Sequence, residues 1–334
     1  MNRTVSSIKV AFYSAYIIEG CVQVLGNLLI IMAVAKCKAL HRKEYCLPVA
    51  LAISDFIMGV GQLNAGANRM YLVCTFQDHI LVSKWYCLQN LSTVCFVLAG
   101  FAVPTMLLLI SIDRCIACYS IQAYSKITAQ KIVILATLAF SFAISMLFLA
   151  VGSTYALEHK PQVPMVCLTA FGLTWWMDKV WNWYQVIVCL SSVLIYLMAM
   201  YFLRYRTDSK KFCEIMRANK ERQRKVTKTL FFVVVCTFLL QTIPALIAAT
   251  LVATKAPRRI YIIAAPIIWI LMNLNSANNI VIYFVKNMEI RKAVLSMLGI
   301  PWAQNRSVTA YDSQLFKTSK TSRQPSAIAQ RSPG

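Results

Sequence analysis

The residues able to do chemistry are few, and most of them sit in apolar surroundings. Leu107–Tyr119 reads Leu-Leu-Leu-Ile-Ser-Ile-Asp-Arg-Cys-Ile-Ala-Cys-Tyr, an apolar run that ends on an adjacent acid and base, Asp113 and Arg114. At the edge of a hydrocarbon layer an arginine keeps its charge and still reaches into a helix bundle. Two roles fit it: an anchor that snorkels to water, or a switch held by Asp113 in one state and released to a partner in another. Asp55 stands inside a second apolar run, Leu51-Ala52-Ile53-Ser54-Asp55. An intramembrane carboxylate is costly unless it faces a bundle interior and finds partners, so Asp55 is a candidate site. Glu19 is a shallower acid, within reach of interfacial water. Asn273, Asn275, Ser276, Asn278 and Asn279 crowd a third run, and such amides need each other, Asp55 or trapped water. His41, His79 and His159 lie far apart and outside these runs, so neither a metal site nor metal-dependent catalysis is expected.

These groups ride on a chain built for lipid. Of its 334 residues 59% are hydrophobic and 14% charged, where soluble domains carry roughly 25% charged. Seven segments reach the roughly 20 apolar residues that cross a bilayer, near 11–34, 46–66, 87–111, 132–152, 182–203, 229–253 and 260–285. The first begins too early and runs too long for a signal-peptide core and is expected to be its own insertion signal. After the seventh, Ile290, Val294 and Leu298 recur at i, i+4 and i+8, the pattern of a helix lying on the membrane surface. The expected fold class is therefore an all-α membrane protein, a seven-transmembrane helix bundle with a short amphipathic helix after the last span.

A net charge of +22 raises nucleic acid as a partner, but 25 of the 34 Lys and Arg fall in alternate loops and the tail, against 9 in the others. That asymmetry is topology against an anionic leaflet and excludes a nucleic-acid footprint. It puts the N-terminus outside, the C-terminus in the cytoplasm and the chain in the plasma membrane. Outside lie the sequon Asn2-Arg3-Thr4 and three cysteines open to oxidation, Cys74, Cys87 and Cys167. The outer segment 153–181 carries Trp175, Trp176 and Trp181 and leads into Trp183 and Tyr184, either an interfacial belt or a pocket wall. Span 4 is wholly apolar and reads as a lipid-facing scaffold. Residues 204–228, with ten Lys and Arg, read as charged helical extensions of spans 5 and 6. In span 6 Pro244 is expected to kink the helix six residues after Phe238.

Five motifs, taken in order, resemble those of a rhodopsin-like G-protein-coupled receptor, most nearly the nematode serpentine chemoreceptors of the Srsx type. They are Gly26-Asn27, Leu51–Asp55, Ile112-Asp113-Arg114-Cys115, Phe238 with Pro244, and Asn275-Ser276 with Asn279-Ile280-Val281-Ile282-Tyr283. The departures are Ile280 in place of a proline, Thr242 in place of a toggle tryptophan, no span-4 tryptophan and no span-5 proline. The resemblance implies a receptor, not an enzyme, that binds an extracellular small molecule or peptide and activates a heterotrimeric G protein. It implies a coupling switch of Asp113, Arg114 and Tyr283, and a span-6 hinge at Phe238 and Pro244. Asn27, Asp55, Asn275, Ser276 and Asn279 are expected to form a buried polar cluster. Cys87 is expected to pair with Cys167, Cys74 being the competitor. The family's sodium site at Asp55 needs a span-3 hydroxyl where this chain has Val103, which argues against an ion, and no other cofactor is expected.

Gln62, Asn64, Phe96, Trp183 and Trp269, near the outer ends of their spans, are the candidate ligand pocket. Lys255, Arg258 and Arg259 lie above them and favour an acidic ligand. The organisation expected is 1–10 as extracellular N-terminus, 11–299 as receptor domain with surface helix, and 300–334 as a disordered cytoplasmic tail. Lys317–Ser322 in that tail is expected to be a phosphorylation platform for a receptor kinase and arrestin. A transporter or proton pathway using Glu19 and Asp55 is the alternative. The absence of a repeat between halves and a total of only ten glycines argue against it.

Overall fold

The computed structural model describes residues 3–157, 160–208, 235–254, 257–286 and 288–300. Among them, seven helices are long and apolar enough to cross a membrane. Span 1 is Arg3–Lys36, span 2 Lys43–Cys74, span 3 Leu91–Tyr119 and span 4 Ala129–Leu157. Span 5 is Trp175–Asp208, the described part of span 6 ends in Ile243–Ala253, and span 7 is Arg258–Lys286. Asn2, residues 209–234 with most of the basic loop, Lys255 and the tail 301–334 lie outside the described residues.

Span 3 is the post of the bundle: 72% of its apolar window is buried, against 22% for span 4, which packs along its edge. Val97, Phe101, Ala102 and Met106 of span 3 are fully covered. Spans 1 and 7 meet where Gly26 faces Ile280. A Cβ at position 26 would stand 2.6 Å from the Ile280 side chain, so the isoleucine found here in place of proline fills the space the glycine leaves open.

Several helices run beyond the ranges read from sequence, and two of the boundaries that differ bear on the site. Span 5 starts at Trp175, so Trp175, Trp176 and Trp181 are helical and not part of a loop. The last glycine before them is Gly172, and nothing between Trp175 and Asn182 stops a helix. Span 3 starts at Leu91, because Asn90 caps it by accepting from the Ser92 N–H at 3.2 Å. Cys87 therefore belongs to a separate short helix, Lys84–Gln89. That helix follows a two-stranded antiparallel ribbon, β1 (Leu81–Ser83) with β2 (Pro161–Pro164), paired Leu81 to Pro164 and Val82 to Val163. Among the described residues the helical bundle thus carries a small β-element at one end.

The chain divides into two compact units, Met1–Val294 and Leu295–Gly334. In the first, Ile290 and Val294 of the helix Met288–Met297 are buried, and Tyr45 donates to Glu289 at 2.9 Å. In the second, the described residues end that helix, Gly299 takes φ +68 and Leu298 is exposed.

Candidate functional site

Mid-membrane, the burial of Asp55 is answered by span 7. Ser276 Oγ donates to Asp55 Oδ1 at 2.7 Å and Asn279 Nδ2 to Oδ2 at 3.5 Å, the three-residue spacing placing both donors on one helix face. Asn275 is turned about 100° from Ser276. It reaches span 6 instead, donating to Gln241 at 3.3 Å. Asn27 is equally buried but donates to the Gln23 carbonyl of its own helix at 2.9 Å. The expected cluster thus divides: Ser276 and Asn279 serve Asp55, while Asn275 and Asn27 serve other acceptors. A cavity lined by Val103, Gln185, Gln241, Trp269, Asn273 and Ser276 adjoins it, with room for about one water. Val103 offers an ion no oxygen there.

At the end of the bundle that carries Arg114, the guanidinium Nε lies 3.5 Å from Asp113 Oδ2 and Nη2 donates to the Glu44 carbonyl at 3.4 Å. Sequence reasoning missed a third participant. The five-residue helix Ile121–Ser125, capped by Ser120, turns Tyr124 toward Asp113. Lys43 holds it there, donating to the carbonyls of Tyr124 at 2.7 Å and Ile127 at 3.1 Å while lying over the ring. Burial, and then the charge of Asp113, push the Tyr124 phenol up to about 12, so it stays neutral. On the facing side Ser111 bonds Ser192 of span 5 at 2.6 Å.

The span-6 hinge is more specific than a kink. Phe238–Thr242 forms a π-turn immediately before Pro244. Pro244 has no N–H for the carbonyl four residues back, and the wider turn re-partners the backbone, with Thr242 Oγ1 reaching the Thr237 carbonyl at 3.4 Å. Phe238 itself faces outward. Tyr283 lies on span 7, but its side chain is outside the described residues.

At the opposite end Cys87 and Cys167 are disulfide-bonded, and Cys74 is free. Arg69 of span 2, buried, clamps the bonded loop: Nε donates to the Val166 carbonyl and Nη2 to that of Cys167, each at 2.9 Å, with the Tyr16 ring beneath. Of the candidate pocket residues, Phe96 packs on Trp269 at 5.2 Å, and Trp269 stacks on Trp181 at 5.5 Å. Trp181 can lie so deep only because Gly100 beneath it has no side chain. Gln62 is buried and donates to Glu19 at 2.5 Å, and Asn64 is half-buried away from the cavity lining. Trp183 is 44% exposed and turns outward, two residues along the helix carrying it off the face that holds Trp181. The side chains of Arg258 and Arg259 lie outside the described residues, as does Lys255.

A seven-helix bundle with a disulfide-tied loop at one end and an Asp–Arg pair at the other defines a membrane receptor of the rhodopsin-like kind. The chain belongs to the serpentine type 7TM GPCR chemoreceptor Srsx family, whose model matches residues 20–298. It is thus a G-protein-coupled receptor and not an enzyme. It is also similar to trace amine-associated receptor 5 of Rattus norvegicus, 26% identical over 91% of this chain and 89% of that protein. Trace amine-associated receptor 9 of Mus musculus is 25% identical over 86% of this chain and 84% of its own. Melanocortin receptor 5 of Mus musculus is 23% identical over 63% and 58%.

Proposed function

We propose that this receptor is a chemosensory or neuropeptide receptor of the plasma membrane, with Asp113–Arg114 as its coupling switch. The observation that supports it is the place of Arg114 beside Asp113 at one end of the bundle, Nε 3.5 Å from the carboxylate and Nη2 3.4 Å from the Glu44 carbonyl. The lysine and arginine asymmetry supports an N-terminus outside and a cytoplasmic C-terminus, which puts the disulfide and Asn2, a glycan acceptor, in the oxidising compartment. When span 6 swings about its π-turn and Pro244, Arg114 is uncovered, Tyr283 turns into the opening and a G-protein helix docks beside the basic segment 204–228. The tail from residue 300, with Lys317–Ser322, then recruits a receptor kinase and arrestin.

The ligand, a small molecule or peptide, enters at the disulfide end toward Phe96, Gln62 and Trp269. The names of two relatives point to amines, but the cavity lining beneath Trp269 holds no carboxylate. Lys255, Arg258 and Arg259 favour an acidic group instead. A ligand screen read by cytosolic calcium and cyclic AMP identifies it. Arg114→Ala should then abolish coupling at normal surface expression and ligand affinity. If it signals like the parent, Arg114 is only an anchor.

A further inference from the structure

Gln23 of span 1 and Gln62 of span 2 are both fully buried, and neither side-chain oxygen meets a donor among the described residues. Their amide nitrogens are committed elsewhere, Gln62 Nε2 to Glu19 Oε2 at 2.5 Å and Gln23 Nε2 to the Asn273 carbonyl at 2.9 Å. Flipping either amide to serve its oxygen would break one of those bonds and set oxygen against oxygen. The groups share one seam. Glu19 and Gln23 are a turn apart on the same face of span 1. Gly59, a turn before Gln62, packs on the Gln23 Cβ.

The seam therefore gathers one carboxylate and two amide oxygens, all acceptors. No described cation forms an ion pair with Glu19. Arg69 spends its guanidinium on the Val166 and Cys167 carbonyls, and Lys9 is paired with Asp78 at 2.6 Å. Glu19 itself is half-buried, so water can reach it and can give hydrogens to the two amide oxygens, but only a cation also balances the charge that the carboxylate brings against those buried amides. A cation answers all three groups at once.

We infer that a monovalent cation binds between spans 1 and 2, held by the Glu19 carboxylate and the side-chain oxygens of Gln23 and Gln62. An all-oxygen donor set suits a hard ion and not zinc or copper. One carboxylate balances one positive charge, whereas calcium sites gather more oxygens and more anionic ones. With the disulfide end outside, as proposed above, the ion in supply is sodium. The site is separate from Asp55, whose two oxygens already accept from Ser276 and Asn279.

The test is thermal melting of the full-length receptor in detergent while sodium chloride replaces choline chloride at constant ionic strength. The parent Tm should rise and saturate with sodium. Glu19→Gln should lose that rise, and Gln62→Leu and Gln23→Leu should need about tenfold more sodium for half of it, or more. Asp55→Asn should keep it. Each variant is read against its own melt in choline, so a lower baseline does not count as an effect, and the second glutamine serves if the first variant does not fold. A parent Tm indifferent to sodium overturns the site, leaving water in the seam. A rise kept by Glu19→Gln and lost by Asp55→Asn also overturns it, by assigning the ion to Asp55.

Discussion

Two of the contacts that restrain Arg114 lie at the long edge of what counts as bonding, 3.5 Å to Asp113 and 3.4 Å to the Glu44 carbonyl. The pair is largely buried, but at 3.5 Å it is a contact and not a close bond; a worth of about 1 kcal/mol is about fivefold in an equilibrium constant. A pair of that strength is overcome by a ligand's differential affinity for two states. Asp113→Asn should raise ligand-independent nucleotide exchange on G protein by up to about fivefold at matched expression. Exchange at the parent level would show that the pair does not hold the resting state. Tyr124→Phe should raise it less, because a phenol pushed up to about 12 is neutral near pH 7 and its loss removes a hydroxyl and no charge. Arg69 is the opposite case, a buried cation with two well-formed bonds at 2.9 Å. Arg69→Met should lower the Tm by several degrees and speed hydrogen exchange at Met165–Cys167. Arg69→Lys should not restore either, since an ammonium cannot reproduce the two-pronged guanidinium geometry.

Between elements, fit is set by single atoms. A methyl at position 26 would collide with Ile280, so Gly26→Ala should cost about 1–3 kcal/mol of stability. The double variant Gly26→Ala with Ile280→Ala should recover most of it in a thermal melt, and equal melts for single and double variants would refute the packing argument. The spans were legible because crossing lipid demands long apolar runs, which no local context can disguise. The buried acid Asp55 and its two span-7 donors were legible for the same reason, since charge in lipid needs partners. Other features were not. β1 is three residues long, too short for an alternating pattern to show, and its pairing with β2 exists only because the loops meet. The tryptophans at the head of span 5 suit an interfacial loop and a helix equally, and only the absence of a breaker decides between them. Pro244 was plain, but which turn would absorb it depends on the carbonyl it orphans. Arg69 carried no signal at all: its partners are backbone carbonyls 97 and 98 residues away, and backbone is the same everywhere in sequence.

Across the whole molecule, the question is whether the mid-membrane acid and the rim pair report on one equilibrium. Trp269 and Ser276 sit two turns apart on span 7 and line the same small cavity, so a ligand that moves Trp269 displaces the helix that bonds Asp55. The far end of that bundle holds Arg114. If both places bias a single two-state equilibrium, their effects on it combine as free energies, because the pairs share no partner. Ser276→Ala removes the shorter bond to the Asp55 carboxylate, worth about 1.5–3 kcal/mol for a charged acceptor, and leaves only the 3.5 Å contact from Asn279. It should raise basal exchange by more than Asp113→Asn does. The double variant should then show the product of the two single fold-changes, as long as the active fraction stays small. Nucleotide exchange measured for all four proteins at matched surface expression decides the matter. A double variant no more active than Ser276→Ala would mean that the rim pair acts only downstream of the mid-membrane bond. A rise in Asp113→Asn alone, with Ser276→Ala merely less stable, would confine the switch to the rim and leave Asp55 a structural acid.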